Sequence, residues 1–263
     1  MAALFRQMTS TMGNKLKNTV IFCLGLLLAG LVIQFLGMTK GDSLVFPGVF
    51  EILRAFFRLL ANARTYHLIF KTLLHLFISL LFSTVIGITV GLLEGLCPFV
   101  RKLLSPLMIM LRSIPMIVLV VIIMVLTKYS RVPYIASCMI LIPLLSEASC
   151  EGCVHIDREL IDVYRINTNF SLRVLFSVYL PMMAGYIRQA YINAVGMGIK
   201  IIVTTEYLVQ TKNSLGKAVY SSAYFNEYAE IYAYALIMIL LVIIFTVIPM
   251  LIRRMSRFEV VKQ

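Results

Sequence analysis

Residues 67 to 95 read His67-Leu-Ile-Phe-Lys-Thr-Leu-Leu-His-Leu-Phe-Ile-Ser-Leu-Leu-Phe-Ser-Thr-Val-Ile-Gly-Ile-Thr-Val-Gly-Leu-Leu-Glu-Gly95. A helix rises about 1.5 Å per residue and needs about 20 apolar residues to cross the bilayer hydrocarbon, so this run is long enough to span it. Ser79, Ser83, Gly87, Gly91 and Gly95 recur within it at every fourth position. Lipid supplies no hydrophobic drive between helices, and a stripe of small residues lets two backbones approach closely there. The stretch is read as a membrane helix, with Gly87, Gly91 and Gly95 expected at a tight helix contact.

The rest of the chain fits that reading. Of its 263 residues 60% are hydrophobic and only 14% charged, which excludes an ordinary soluble domain. Further apolar runs lie at roughly 19–38, 103–126, 132–150, 174–206 and 230–252. The expected fold is therefore all-α, a polytopic membrane protein with six transmembrane helices. The run at 174–206 is too long for one perpendicular crossing and carries Pro181, Gly185, Gly196 and Gly198, so it should be bent, tilted or interrupted. The run at 19–38 exceeds a signal-peptide core and lacks a small-residue cleavage pattern after Met38, so it is taken as a retained helix. The net charge of +12 comes from Lys and Arg that punctuate apolar runs, which suits lipid headgroups and not nucleic acid. Five cysteines, an odd number mostly within apolar segments, give no disulfide framework.

These runs divide the chain into a cytoplasmic tail (1–18), a first span with an extracytoplasmic amphipathic helix (19–66), a five-helix core (67–252) and a basic cytoplasmic tail (253–263). In the second of these, Val49, Ile52, Leu53, Phe56, Phe57 and Leu60 recur at helical spacing opposite Glu51, Arg54 and Arg58. A helix resting on the membrane surface and one packed on the bundle share that periodicity. Twelve Lys and Arg fall on the side of both termini and eight on the other, which places the termini in the cytoplasm.

No catalytic signature is present. Thr211 to Ala218 is the nearest approach to a phosphate-binding loop and lacks both its first Gly and its final Ser or Thr. Three scattered histidines make no metal site, and no metal or cofactor is expected. Cys150 and Cys153, with His155 beyond, have a spacing that a thiophilic metal can use and that apolar filler also produces. Ionisable residues inside spans are costly and call for a reason. Lys71, Glu206 and Lys200 lie near outer ends, from which a side chain can snorkel. Arg112 and Glu147 lie nearer the inner halves, where they pair or face a cavity, and His75 and Arg188 complete the set.

The loop His155-Ile-Asp-Arg-Glu-Leu-Ile-Asp-Val-Tyr-Arg-Ile-Asn-Thr-Asn-Phe-Ser171 is the most informative cytoplasmic segment. Asp157 can cap a short helix with Ile156, Leu160 and Tyr164 on one face, and Asn167-Thr-Asn tolerates the backbone of a helix stop. Such a helix is a handle for a cytoplasmic partner or lies on the inner membrane face.

Here the sequence resembles the permease subunits of binding-protein-dependent ABC importers, particularly the nitrate, sulfonate and taurine branch. Asp162-Val-Tyr stands for the E-A-A of that family's coupling loop, Thr168 for its glycine and Leu180-Pro181 for the following L-P. Leu104-Ser-Pro-Leu and Leu111-Arg-Ser-Ile-Pro115 look like the branch's D-P-L and R-[AS]-I-P; Glu206 and Ser214-Leu-Gly216 look like its A-E-x-L and S-G-L-G. The likeness runs from about residue 46 to 254.

The resemblance implies a type I importer permease bundle in a bacterial cytoplasmic membrane. Asp157, Leu160, Asp162, Tyr164, Arg165 and Thr168 would couple to cytoplasmic ATPase subunits. Arg112, Pro115, Glu147 and Glu206 would line a pathway or gate, completed by a second copy or a sister permease. An extracytoplasmic binding protein would deliver a small solute: an anion such as nitrate or a sulfonate, or a vitamin precursor. A permease of this kind needs no catalytic residue, only two packings of nearly equal energy that ATP binding can bias. The alternative is a secondary transporter or channel relaying ions through Lys71, His75, Arg112 and Glu147, for which the span pattern offers no inverted repeat.

Overall fold

The structure is a computed structural model that describes residues 47–156, 159 and 174–260. The helices are α1 (Val49–Ala61), α2 (Ala63–Leu96), α3 (Pro98–Ser113), α4 (Met116–Leu126), α5 (Val132–Val154), α6 (Leu180–Val209), α7 (Leu215–Tyr224) and α8 (Tyr228–Val260). A 3-10 turn, Tyr129–Arg131, leads into α5, and a π turn, Leu175–Tyr179, leads into α6. No strand occurs among the described residues.

Four helical stretches are long and apolar enough to cross a membrane: Ala63–Leu96, Tyr129–Val154, Leu175–Val209 and Tyr228–Thr246. The run expected as one span at 103–126 is instead two helices, α3 and α4, bent by 101° at Ile114–Pro115. Proline lacks an N–H and clashes with the preceding turn, and here the chain turns at it instead of continuing with a kink. The described residues thus hold four spans, or five if the bent pair is one, where six were expected over the whole chain. The span expected at 19–38 lies outside the described residues.

The chain divides into two compact units. One comprises, among the described residues, α1 and residues 222–235. In it Ile52, Ala55 and Leu59 of α1 are buried while Phe50, Leu53 and Phe57 are exposed. The buried face is thus rotated from the one that the apolar spacing marks. Arg58 pairs with Glu230 at 2.6 Å, and the Ser222 hydroxyl donates to the other Glu230 oxygen at 3.0 Å. Glu227 stands beside Glu230, whose charge and hydrogen bond hold the Glu227 carboxyl above the usual carboxylate range.

The other unit runs from residue 62 to 221 and from 236 onward. Its centre is α5, packed along α2 on one side and along α6 on another. The small-residue stripe of α2 explains the first contact. An added Cβ at Gly87 would stand 2.8 Å from Leu145 Cβ, one at Gly95 2.5 Å from Cys153 Cβ, and one at Gly91 would run into the Ser146 carbonyl oxygen. On the α6 side, Gly198 leaves room for Leu76 of α2, whose Cδ1 would lie 2.6 Å from a Cβ there. The long run that begins at 174 is interrupted by the π turn just before Pro181, and its glycines then stand within one continuous helix, α6.

Candidate functional site

Two polar clusters break the apolar interior of the larger unit. The first joins α3 to α5. Arg112, in the last turn of α3, forms an ion pair with Glu147 and donates through Nη2 to the carbonyl oxygen of Pro143 at 2.6 Å. Both charged side chains keep partial access to solvent, 37% for Arg112 and 52% for Glu147. The pair therefore fastens the corner before Pro115 without carrying a full desolvation cost. Behind it a cavity of about 150 Å³ opens between α3, α5 and the end of α2. Glu94, 6% exposed, reaches this cavity and accepts a hydrogen bond from the Ser146 hydroxyl at 2.9 Å.

The second cluster joins α2, α6 and the start of α7. Glu206 is wholly buried. One carboxylate oxygen is 2.7 Å from His75 Nδ1; the other accepts from the Thr72 hydroxyl at 2.9 Å and from the Gly216 N–H at 3.2 Å. Thr72 in turn accepts the Leu215 N–H at 3.0 Å, and Ser214 Oγ accepts that of Lys217 at 3.3 Å. The first N–H groups of α7, which have no partner within the helix, are thus met by side chains from three elements. Glu206 thus accepts from Thr72 and Gly216, and His75 is the basic group among the described residues that touches it. Tyr134 sets its ring edge against the imidazole, centroids 4.9 Å apart. A Cβ on residue 216 would lie 2.5 Å from Glu206 Cβ, so only glycine lets the chain come this close.

Residues 83–260, more than half of the sequence, match the family of binding-protein-dependent transport system inner membrane components. The chain belongs to this family of ABC importer permeases. Subunits of the family are non-catalytic membrane parts of their transporters. Among solved structures, a chain of the MetNI methionine ABC transporter in inward facing conformations matches this permease with a TM-score of 0.60 and 19% identity. The match covers 67% of this chain and 90% of that one, and at such identity it shows the fold. No curated protein matches the permease by sequence.

Of the residues expected to matter, the structure brings Arg112 and Glu147 together at the corner that Pro115 makes. Glu206 is elsewhere, with His75, and the expectation that it snorkels from a span end is corrected: its carboxylate is enclosed by Thr72, His75 and Gly216. The likeness of Glu206 and Ser214-Leu-Gly216 to family motifs now has a physical meaning, since the two stretches touch. Asp157, Leu160, Asp162, Tyr164, Arg165 and Thr168 lie outside the described residues. Cys150 and Cys153 are buried free thiols, Cys153 within an apolar cluster of Leu92, Ile156, Val178, Tyr179 and Met183. Sequence reasoning passed over Glu94 because it closes an apolar run. Its position three residues after Gly91, beside the packing stripe, is the signal that could have found it.

Proposed function

We propose that this permease is the membrane-spanning subunit of an ATP-driven importer in a bacterial cytoplasmic membrane, with both termini in the cytoplasm. It forms the pathway for a small solute, a nitrate-, sulfonate- or taurine-like anion or a vitamin precursor, delivered by an extracytoplasmic binding protein. A second copy or a sister permease completes the pathway. Residues 155–171, with Asp157, Leu160, Asp162, Tyr164, Arg165 and Thr168, dock on the cytoplasmic ATPase, and Arg112, Glu147 and Pro115 form part of a gate. The single observation that carries this reading is the family match over residues 83–260. The Arg112–Glu147 contact supports the gate, because a charged pair at a sharp corner between helices has two states, made and broken, that a conformational cycle can use.

The test is co-expression with the ATPase subunit and purification of the assembly. The permease is expected to retain the ATPase, and Asp162→Lys to uncouple hydrolysis from transport while leaving membrane insertion intact. Unchanged transport with unchanged ATPase retention in that variant removes the loop from the coupling role, and failure of the wild-type chain to retain any ATPase removes the importer reading itself.

A further inference from the structure

The cavity behind Arg112 has an unequal pair of ends. At one, Arg112 of α3 and Glu147 of α5 close the gap by their ion pair. At the other, Arg101 of α3 and Glu94 of α2 line the same cavity, yet among the described residues no ion pair reaches either. Glu94 is nearly enclosed and has one neutral donor, Ser146, which compensates a carboxylate poorly. Arg101 sits in the first turn of α3 and Glu94 in the last turn of α2, with Cys97 as the extended joint between the helices. Arg101, Ser105 and Arg112 fall on one face of α3, the face toward the cavity. Finally, no side chain of α3 is fully buried, so a shift of its first turns about Cys97 gives up little apolar burial.

We propose that α3 is a strap that closes over this cavity in the chain's second packing, pairing Arg101 with Glu94, and that the structure shows the strap open. The proposal rests on the permease reading for its role in the transport cycle. The motion itself is a property of this chain. With Arg112 still held to Glu147 at the far end, closure draws in the first turns of α3, compensates the Glu94 carboxylate and narrows the cavity, while the open form leaves both charges unpaired; the two forms differ by one ion pair, and a partner subunit can bias so small a difference.

The test uses the full chain in nanodiscs, alone and with its ATPase, its five native cysteines replaced. Spin labels go on Leu103→Cys in α3 and Val154→Cys at the end of α5, both exposed sites that do not line the cavity. Pulsed electron resonance is expected to give two label distances, with the shorter one enriched in one nucleotide state. Arg101→Gln, at an exposed position that folding tolerates, should cut the short-distance population by about fivefold, the worth of roughly 1 kcal/mol. Glu94→Gln should do the same. One long distance in every condition overturns the strap, as does a short-distance population that Arg101→Gln leaves unchanged. If no ATPase is retained, the importer reading falls, and the comparison of wild type with Arg101→Gln in the chain alone still decides the strap.

Discussion

The carboxylate of Glu206 accepts the backbone N–H of Gly216, ten residues further on, so the end of α6 caps the start of α7. Between them the chain passes through left-handed backbone at Gln210 and Asn213. A Cβ at residue 216 meets Glu206 Cβ, Tyr207 N and Val203 O, each at 2.5 Å. Gly216→Ala should therefore lower stability by about 2 kcal/mol. His75→Ala, which leaves the Glu206 carboxylate buried without its basic partner, should cost about 3–5 kcal/mol. Thermal unfolding of the purified chain followed by circular dichroism reads both, and an unchanged midpoint for either variant would remove that residue from the anchor.

A second expectation concerns the seam between α2 and α5. Since even a methyl group at Gly91 collides with the Ser146 carbonyl, Gly91→Ala should reduce the yield of folded chain, and Gly91→Leu should abolish it. Gly185 has no atom within 4 Å of a built Cβ, so Gly185→Ala is the matched control and should be neutral or stabilising by about 0.5–1 kcal/mol. Equal yields for Gly91→Ala and Gly185→Ala would show that the α2–α5 contact is looser than described.

Arg112 separates structure from gating. Because its pair with Glu147 is partly exposed, Arg112→Ala should cost about 1 kcal/mol or less and leave expression near normal. A gating residue should nevertheless alter basal ATP hydrolysis or solute leak in the assembled transporter. If the solute is an anion, Arg112→Glu, which faces Glu147 with a like charge, should abolish uptake. Lost expression with unchanged activity per assembled complex would make Arg112 a purely structural clamp.

Near α1, acidity should matter in one direction. Glu230 raises the Glu227 pKa, so the fold favours protonated Glu227. That contribution to stability is fully present below the ordinary glutamate pKa and is lost as pH rises through the raised one. A carbon-detected NMR titration should place the Glu227 midpoint above that of an ordinary glutamate, and Glu230→Gln should bring it down. A midpoint at or below the ordinary value contradicts the contact.

Much of this was legible in the sequence because the membrane imposes simple rules. Bilayer thickness fixes the length of an apolar run, which is why α2 and α5 stand where the runs at 67 and 132 put them, within about four residues at their ends; α6 starts later than the run at 174, behind the π turn, and α8 continues past the apolar run that begins at 230. The glycine stripe was readable because only a missing side chain permits so close a backbone approach. The 101° turn at Pro115 was not readable in the run at 103–126: local chemistry says only that a hydrogen bond is missing at a proline, whereas the direction in which the chain leaves depends on what holds each arm. Glu206 misled for the same reason. Its nearness to a span end suggested solvent, while its environment is set by Thr72, 134 residues away, a contact that no local pattern encodes. The loop 155–171, which carries the start of the resemblance, lies outside the described residues except for His155, Ile156 and Glu159.

The π turn at Leu175–Tyr179 has a consequence for how the chain is threaded. Each residue of an α-helix advances the phase by about 100°, and a π turn accommodates one residue more than an α turn in its place. Val174, which leads into the turn, therefore stands in a rotational register offset from the one that a continuous α-helix would impose. Val178 and Tyr179 of the turn belong to the apolar cluster that also holds Cys153 of α5 and Met183 of α6, so conversion of the turn to α geometry would turn them away from those partners. The extra residue thus works as a phase setter: it decides which side chains the front of α6 turns toward the centre of the unit.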